Sequence, residues 1–221
     1  MTVSEIATLA CQRLNLQDHA SIERAKKYVR NRWLTIWNSH LWKDSIGYAS
    51  VQAEMDNGKC ILRVPLERVR NIRYGNYTIY PIDPSNVFQL DPEAFDNFGE
   101  VCGFTSLGKD VNGNRIVQIV RVPKNIEAES FLVMGKIKCP QLEDTDEPFL
   151  TGIEDSITEF VIGDLWQDDQ QGSKASASYA NASTFLDLMR KIDGEQSASN
   201  PRFIPDASGN YTRDDFYEDY L

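Results

Sequence analysis

TGIEDSITEFVIGDLWQDDQQGSKASASYANASTFLDLMRKI, residues 151–192, is the stretch on which the fold turns. Ile153, Ile157, Phe160, Val161 and Leu165 recur at spacings of three and four, which lines them along one face of a helix. Thr151 and Glu154 stand in capping-box spacing, so the helix is expected to begin there with two of its free N–H groups satisfied. Gly172 and Ser173 interrupt the pattern, which resumes through Ala175, Tyr179, Ala182, Leu186, Met189 and Ile192. Two amphipathic helices joined around Gln171–Ser173 pack antiparallel. Each stripe keeps a flank that the other cannot cover, so the pair requires further helices.

The N-terminus supplies them. Thr2 and Glu5 form a second capping-box match ahead of Ile6, Leu9, Ala10 and Leu14. Asp18 and Ser21 are available as caps for a longer helix over about 21–41, whose apolar face is Ile22, Ala25, Val29, Trp33, Ile36, Trp37 and His40 or Leu41. Trp33, Trp37 and Trp42 read as core filling, since indoles carry large apolar area. Arg24, Lys26, Lys27, Arg30 and Arg32 lie mostly off that face and belong to a solvated surface or pair with the acidic helix of a neighbour.

After Trp42 the period becomes extended. Ile46, Tyr48, Ser50 and Gln52 alternate up to Asp56-Asn57-Gly58, a hairpin turn signal, and 60–64 is expected to return as their partner strand. Residues 69–73 and 77–82 flank a turn at Gly75-Asn76, 87–90 is a short strand between Asp-Pro pairs, 103–107 and 115–122 flank Asn112-Gly113, and 130–138 is a final strand. The expected class is therefore α+β: a helical bundle of four main helices with a β-rich insertion between the second and third. The bundle takes residues 1–43 and 149–193, the insertion 44–142, and an extended C-terminal arm 194–221. The arm begins as a Gly-, Ser-, Asn- and Pro-rich linker and ends in aromatics set among acids.

The net charge of −10 is unevenly placed. Residues 1–142 hold 18 basic and 15 acidic side chains (+3), residues 143–221 hold 5 and 18 (−13), and ten acids fall between Glu143 and Asp169 with no Lys or Arg. Such a segment is a solvated acidic face or a surface that must not hold DNA, and phosphate binding is not the main task of such a chain. No run approaches the ~18 apolar residues of a membrane span, and no secretory segment is visible at Met1. Cys11, Cys60, Cys102 and Cys139 are widely spaced, with no C-x-x-C pair, and read as free thiols in a reducing cytoplasm.

Catalytic signatures are missing. His19 and His40 are the only histidines and neither stands in a metal-binding or nucleophile-activating motif. No phosphate loop, dinucleotide fingerprint or nucleophile elbow is present, so neither an enzyme nor a cofactor or metal site is expected. A nucleic-acid-binding module is the alternative of a different class: Arg63, Arg68, Arg70 and Arg73 are interleaved with Tyr74, Tyr77 and Tyr80. The duller explanation of those arginines is a protected strand edge.

The order of features resembles the head-to-tail adaptor proteins of tailed phages, in the layout of podovirus adaptors and tail tubular proteins. The likeness rests on Arg32-Trp33, Trp37 and Leu41-Trp42, the β-rich region with 120–123 and 133–138, the acidic link 144–148, and the hairpin residues Phe160, Leu165-Trp166, Gln171-Gly172, Ala175, Tyr179, Leu186 and Glu195-Gln196. It spans 6–205 and is carried by hydrophobic patterns rather than by catalytic motifs.

The resemblance implies a virion structural protein, made in the bacterial host cytoplasm and placed at the head-tail junction. It would form a homo-oligomeric ring of twelve subunits below the portal protein, joined to a downstream nozzle or tube protein. Genomic DNA would pass through its channel during ejection without specific binding. A tail-completion (stopper) or tail tubular protein lower in the stack is the alternative within the class. The expected contacts to the portal or a neighbouring subunit are Phe203, Ile204, Tyr211, Phe216, Tyr217, Tyr220 and Leu221, and the candidate channel-facing acids are Asp164, Asp168 and Asp169.

Overall fold

A computed structural model describes residues 1–56, 59–83, 85, 103–121 and 130–199. The chain opens with α1 (Val3–Arg13), capped as its sequence predicts: Glu5 N–H donates to Thr2 Oγ1 at 3.2 Å and Thr2 N–H to Glu5 Oε2 at 2.8 Å. Helix α2 (His19–Ser39) starts at Asp18, whose carboxylate accepts from Ser21 N–H at 2.9 Å and Ser21 Oγ at 2.6 Å. Those bonds hold the Asp18 carboxyl below its usual range.

Helices α3 (Ile153–Asp168) and α4 (Gly172–Ser199) form the second pair. Gln170, with φ 60°, makes the sharp connection between them. Ser156 Oγ donates to the Ala182 carbonyl at 3.0 Å and the Tyr179 ring lies on Gly163, so the two helices run antiparallel. A Cβ at Gly163 would stand 2.4 Å from that ring, which explains the glycine inside a buried helix. The expected Thr151–Glu154 box does not form. The cap is Gly152 at φ 77°, a left-handed conformation that suits glycine, and Glu154 lies instead 3.7 Å from the N-terminal amine of Met1. Ile6, Val29, Trp33, Ile36, Trp37, Ile153, Ile157, Val161 and Leu165 fill the helical core.

Among the described residues the strands are β1 (Ile46–Gln52), β2 (Glu54–Asp56), β3 (Lys59–Val64), β4 (Arg68–Tyr74), β5 (Tyr77–Ile79), β6 (Gly103–Lys109), β7 (Arg115–Val120) and β8 (Ser130–Lys136). They make two antiparallel sheets, ordered β1-β8-β4-β5 and β2-β3-β7-β6. Ala53 carries the chain from one sheet to the other. At the opposite seam Ile82 N–H donates to the Phe104 carbonyl at 2.9 Å and Phe104 N–H to the Tyr80 carbonyl at 3.1 Å. The layers thus close into a flattened barrel around Cys60, Leu62, Val64, Ile72, Phe104, Val117, Ile119, Phe131 and Val133. At that seam the two bonds pair backbone groups that an open edge would leave free.

The expected fold class is corrected by this arrangement. Residues 44–142 are not an insertion of hairpins hung on a four-helix bundle, because the two sheets enclose a second hydrophobic core of their own. The chain is α+β with two cores. Strand β1 does not pair with 60–64 as expected; it pairs along its length with β8, from Ile46↔Lys136 to Gln52↔Ser130, and β3 is flanked instead by β2 and β7. Helix α4 continues past 193 to Ser199. The strand expected at 87–90, and the arm from 200 to 221, lie outside the described residues.

Two side chains join the cores. Ile137 packs against both. Lys136, 3% exposed, sends its amine from β8 to the carbonyls of Trp37 and, at 2.7 Å, His40, with the Trp37 ring 5.6 Å away. Those carbonyls at the end of α2 have no helical partner, and a cation there also meets the negative end of the helix dipole. Burial pushes the Lys136 amine below its usual pKa.

Candidate interaction surfaces

The basic face of α2 finds its acids within its own chain. Arg32 makes a two-pronged contact with Asp164, Nε to Oδ2 at 2.8 Å and Nη2 to Oδ1, while its guanidinium lies 4.9 Å from the Phe160 ring and 5.4 Å from the Tyr179 ring. Tyr179 Oη donates to the same carboxylate at 2.9 Å. One turn earlier Tyr28 Oη donates to Asp168 at 2.7 Å and Arg24 reaches it at 3.4 Å. Burial, with the Asp168 carboxylate second, pushes the Tyr28 phenol up to about 12. Lys26, at 2.8 Å, and Arg30 both clasp Asp144 in the acidic link.

These contacts bear on the three acids expected to line a channel. Asp164, with a side chain 12% exposed, is committed to Arg32 and Tyr179, and Asp168 to Arg24 and Tyr28. Asp169, just beyond α3, is exposed. Further exposed acids lie along the link and the start of α3: Glu143, Asp146, Glu147 and Asp155. Phe149, 43% exposed, sits among them with its ring edge against Trp33 and Trp37.

The barrel separates the arginines and tyrosines that the sequence groups together. Arg63 is on β3 of the second sheet and is held by Glu54 at 2.9 Å. Tyr74 faces inward and stacks on Phe131 at 5.1 Å. What remains is the outer face of the first sheet. Cross-strand partners share a face, so Ser50, Leu132, Arg73 and Thr78 form one row and Tyr48, Met134 and Asn71 the next. Arg70 is the extra residue where the β4–β8 register shifts. Tyr48 is 56% and Leu132 44% exposed. The four strands of this sheet hold four basic residues, Arg68, Arg70, Arg73 and Lys136, and no acid. Strand β5 pairs with β4 only from Ile72 to Tyr74, so Arg73 lies between two strands, while Arg68 and Arg70 stand on a stretch of β4 paired with β8 alone, which keeps edge protection as a reading of those two.

Alternation along β1 points Tyr48 outward from sequence alone, but nothing local marks Leu132 as its neighbour. A second exposed apolar stripe, Phe185, Leu188 and Ile192, runs along α4. An open cleft of about 440 Å³ separates α2 from the barrel, lined by Leu34, Lys109, Glu67 and Lys138. Glu67 there accepts from Lys109 at 2.7 Å, which holds its carboxyl below the usual range. Burial pushes the Cys60 and Cys139 thiols up to about 11, so neither is a ready nucleophile; Cys102 lies outside the described residues.

Among the described residues no group of three or more His, Cys, Asp or Glu is placed to hold a metal ion, and no helix is long and apolar enough to cross a membrane. The expected partner contacts Phe203, Ile204, Tyr211, Phe216, Tyr217, Tyr220 and Leu221 all lie outside the described residues. Compared with known proteins, the chain matches no protein-family model and no curated sequence.

Proposed function

We propose that this chain is a structural head-to-tail adaptor of a tailed bacteriophage, one subunit of a twelvefold ring that joins the portal protein to the tail. The observation that carries the reading is a pair of unlike surfaces on one subunit. An acid-free sheet face bears Arg70 and Arg73, and an acid-rich edge follows the link and the start of α3. A heterologous, head-to-tail interface requires two different and complementary patches, and it closes into a ring when the rotation is right. A tail-completion or tail tubular protein, lower in the stack, has the same physical requirements.

Purified protein mixed with its portal is expected to give a high-order assembly by mass measurement, with or without self-assembly of the protein alone. A protein that stays monomeric with the portal in every condition tried contradicts the proposal. Nucleic-acid binding is the second reading, favoured by Tyr48, Arg70 and Arg73 on one open face. Titration with single-stranded DNA across a salt series separates the two, because binding through phosphates weakens steeply with salt and an adaptor has little affinity to lose.

A further inference from the structure

We propose that the outer face of the β1-β8-β4-β5 sheet is the receptor for the C-terminal segment 214–221 of a second copy of this chain. Strands β8 and β4 are the inner strands of this sheet; β5 pairs with β4 only over Ile72–Tyr74, so Arg73 stands between two strands and Arg68 and Arg70 beside β8 alone. The contact proposed is made through the side chains of the face and not by adding a strand. Lys136 is turned into the seam with α2, and Arg73 Nε meets the Gly75 carbonyl at 3.0 Å. Arg68 and Arg70 contact no acid among the described residues. Beside these cations stand Tyr48 and Leu132, an exposed apolar pair on the same face.

The segment Asp214-Asp-Phe-Tyr-Glu-Asp-Tyr-Leu221 has the complementary chemistry: four acids, no base, three aromatics and a leucine. Buried aromatics flanked by charges of the right sign are how short segments anchor and orient themselves. Reach allows a neighbour as well as the segment's own subunit. Helix α4 ends at Ser199, and the residues from 200 to 213 span up to ~50 Å when extended, about the diameter of a globule of this chain length. The inference rests on the ring reading above, and it names the surface that receives the arm.

The test uses the full-length protein. A fluorescent peptide of residues 206–221 is titrated into wild type and into R70E/R73E, with circular dichroism confirming that both are folded. In parallel, a photo-crosslinking residue replaces Phe216 in a mixture of isotopically heavy and light subunits. Peptide affinity is expected to fall about tenfold or more in R70E/R73E and to weaken with salt. Heavy–light crosslinks are expected on β1, β4 or β8. Crosslinks confined to single chains overturn the assignment to a second copy, and crosslinks on other elements overturn the assignment to this face. An oligothymidylate that binds the face and displaces the peptide gives the face to nucleic acid instead. Crosslinks elsewhere with normal portal attachment sink this inference and leave the adaptor reading standing. Heavy–light crosslinks at the face in a protein that never joins the portal do the reverse.

Discussion

Arg32 does three things at once: it forks onto Asp164, lies over Phe160, and shares its carboxylate with Tyr179. Arg32→Lys keeps the charge but loses the fork and the planar stacking, and is expected to cost about 1–2 kcal/mol in urea denaturation. Asp164→Ala leaves a half-buried guanidinium without its acid and is expected to cost about 2 kcal/mol, discounted from a fully buried pair because Arg32 is partly solvated. Equal midpoints for wild type and both variants contradict this clasp. Asp144 gives a pH signature. The hydrogen bond from Lys26, with Arg30 adding to it, holds its carboxyl below the ordinary aspartate range. A depressed folded pKa contributes stability that is present above the unfolded value, about 4, and is lost as pH falls through the folded value. Wild type is therefore expected to melt above Asp144→Asn at neutral pH, with the gap closing in acid; a constant gap excludes the mechanism. Both charge blocks are plain in the sequence. That they meet inside one chain is not, because Arg32 and Asp164 are 132 positions apart and no local spacing encodes their approach.

Elements were legible where their determinants are local. The Thr2–Glu5 box, the Asp18 cap, the three-and-four stripes of α2 and α3, and the Gly75-Asn76 turn between β4 and β5 all act within a few residues. Strand β1 was misread for the opposite reason. A turn signal at 56–58 announces a hairpin, yet it governs only β2 and β3, while β1 pairs with β8 some eighty residues away. Alternating patterns state which face is buried and not which strand is adjacent. The Thr151 box failed because a left-handed Gly152 is already the cap. Lys136 is the element-scale device that no pattern marks, a base inside an apolar strand that caps a helix of the other unit. Lys136→Met is expected to leave the Trp37 and His40 carbonyls without their donor and to lower stability by about 1–3 kcal/mol, read from urea midpoints. A neutral or stabilising result would show that desolvating the amine outweighs those bonds. The arm is the other element with a clear outcome. Deleting residues 206–221 is expected to leave the monomer's melting temperature nearly unchanged and to abolish or greatly weaken attachment to the portal. A large loss of monomer stability would show that the arm packs on its own subunit.

At the scale of the molecule, two cores are joined at one seam through Ile137 and Lys136, and the charge is sorted between a barrel face without acids and a helical edge rich in them. The pairing of Asp164 and Asp168 with α2 changes how the proposed channel is to be probed. Charge reversal there breaks internal contacts, so Asp169→Lys is the cleaner substitution: slowed DNA ejection with normal assembly is expected if that carboxylate lines the channel, and unchanged ejection places it elsewhere. The central claim is assembly on the portal, and mass measurement of the purified protein mixed with its portal addresses it most directly. A discrete complex with a ring of adaptor subunits on each portal is the expected result. A protein that remains monomeric beside intact portal, across salt and concentration, contradicts the claim.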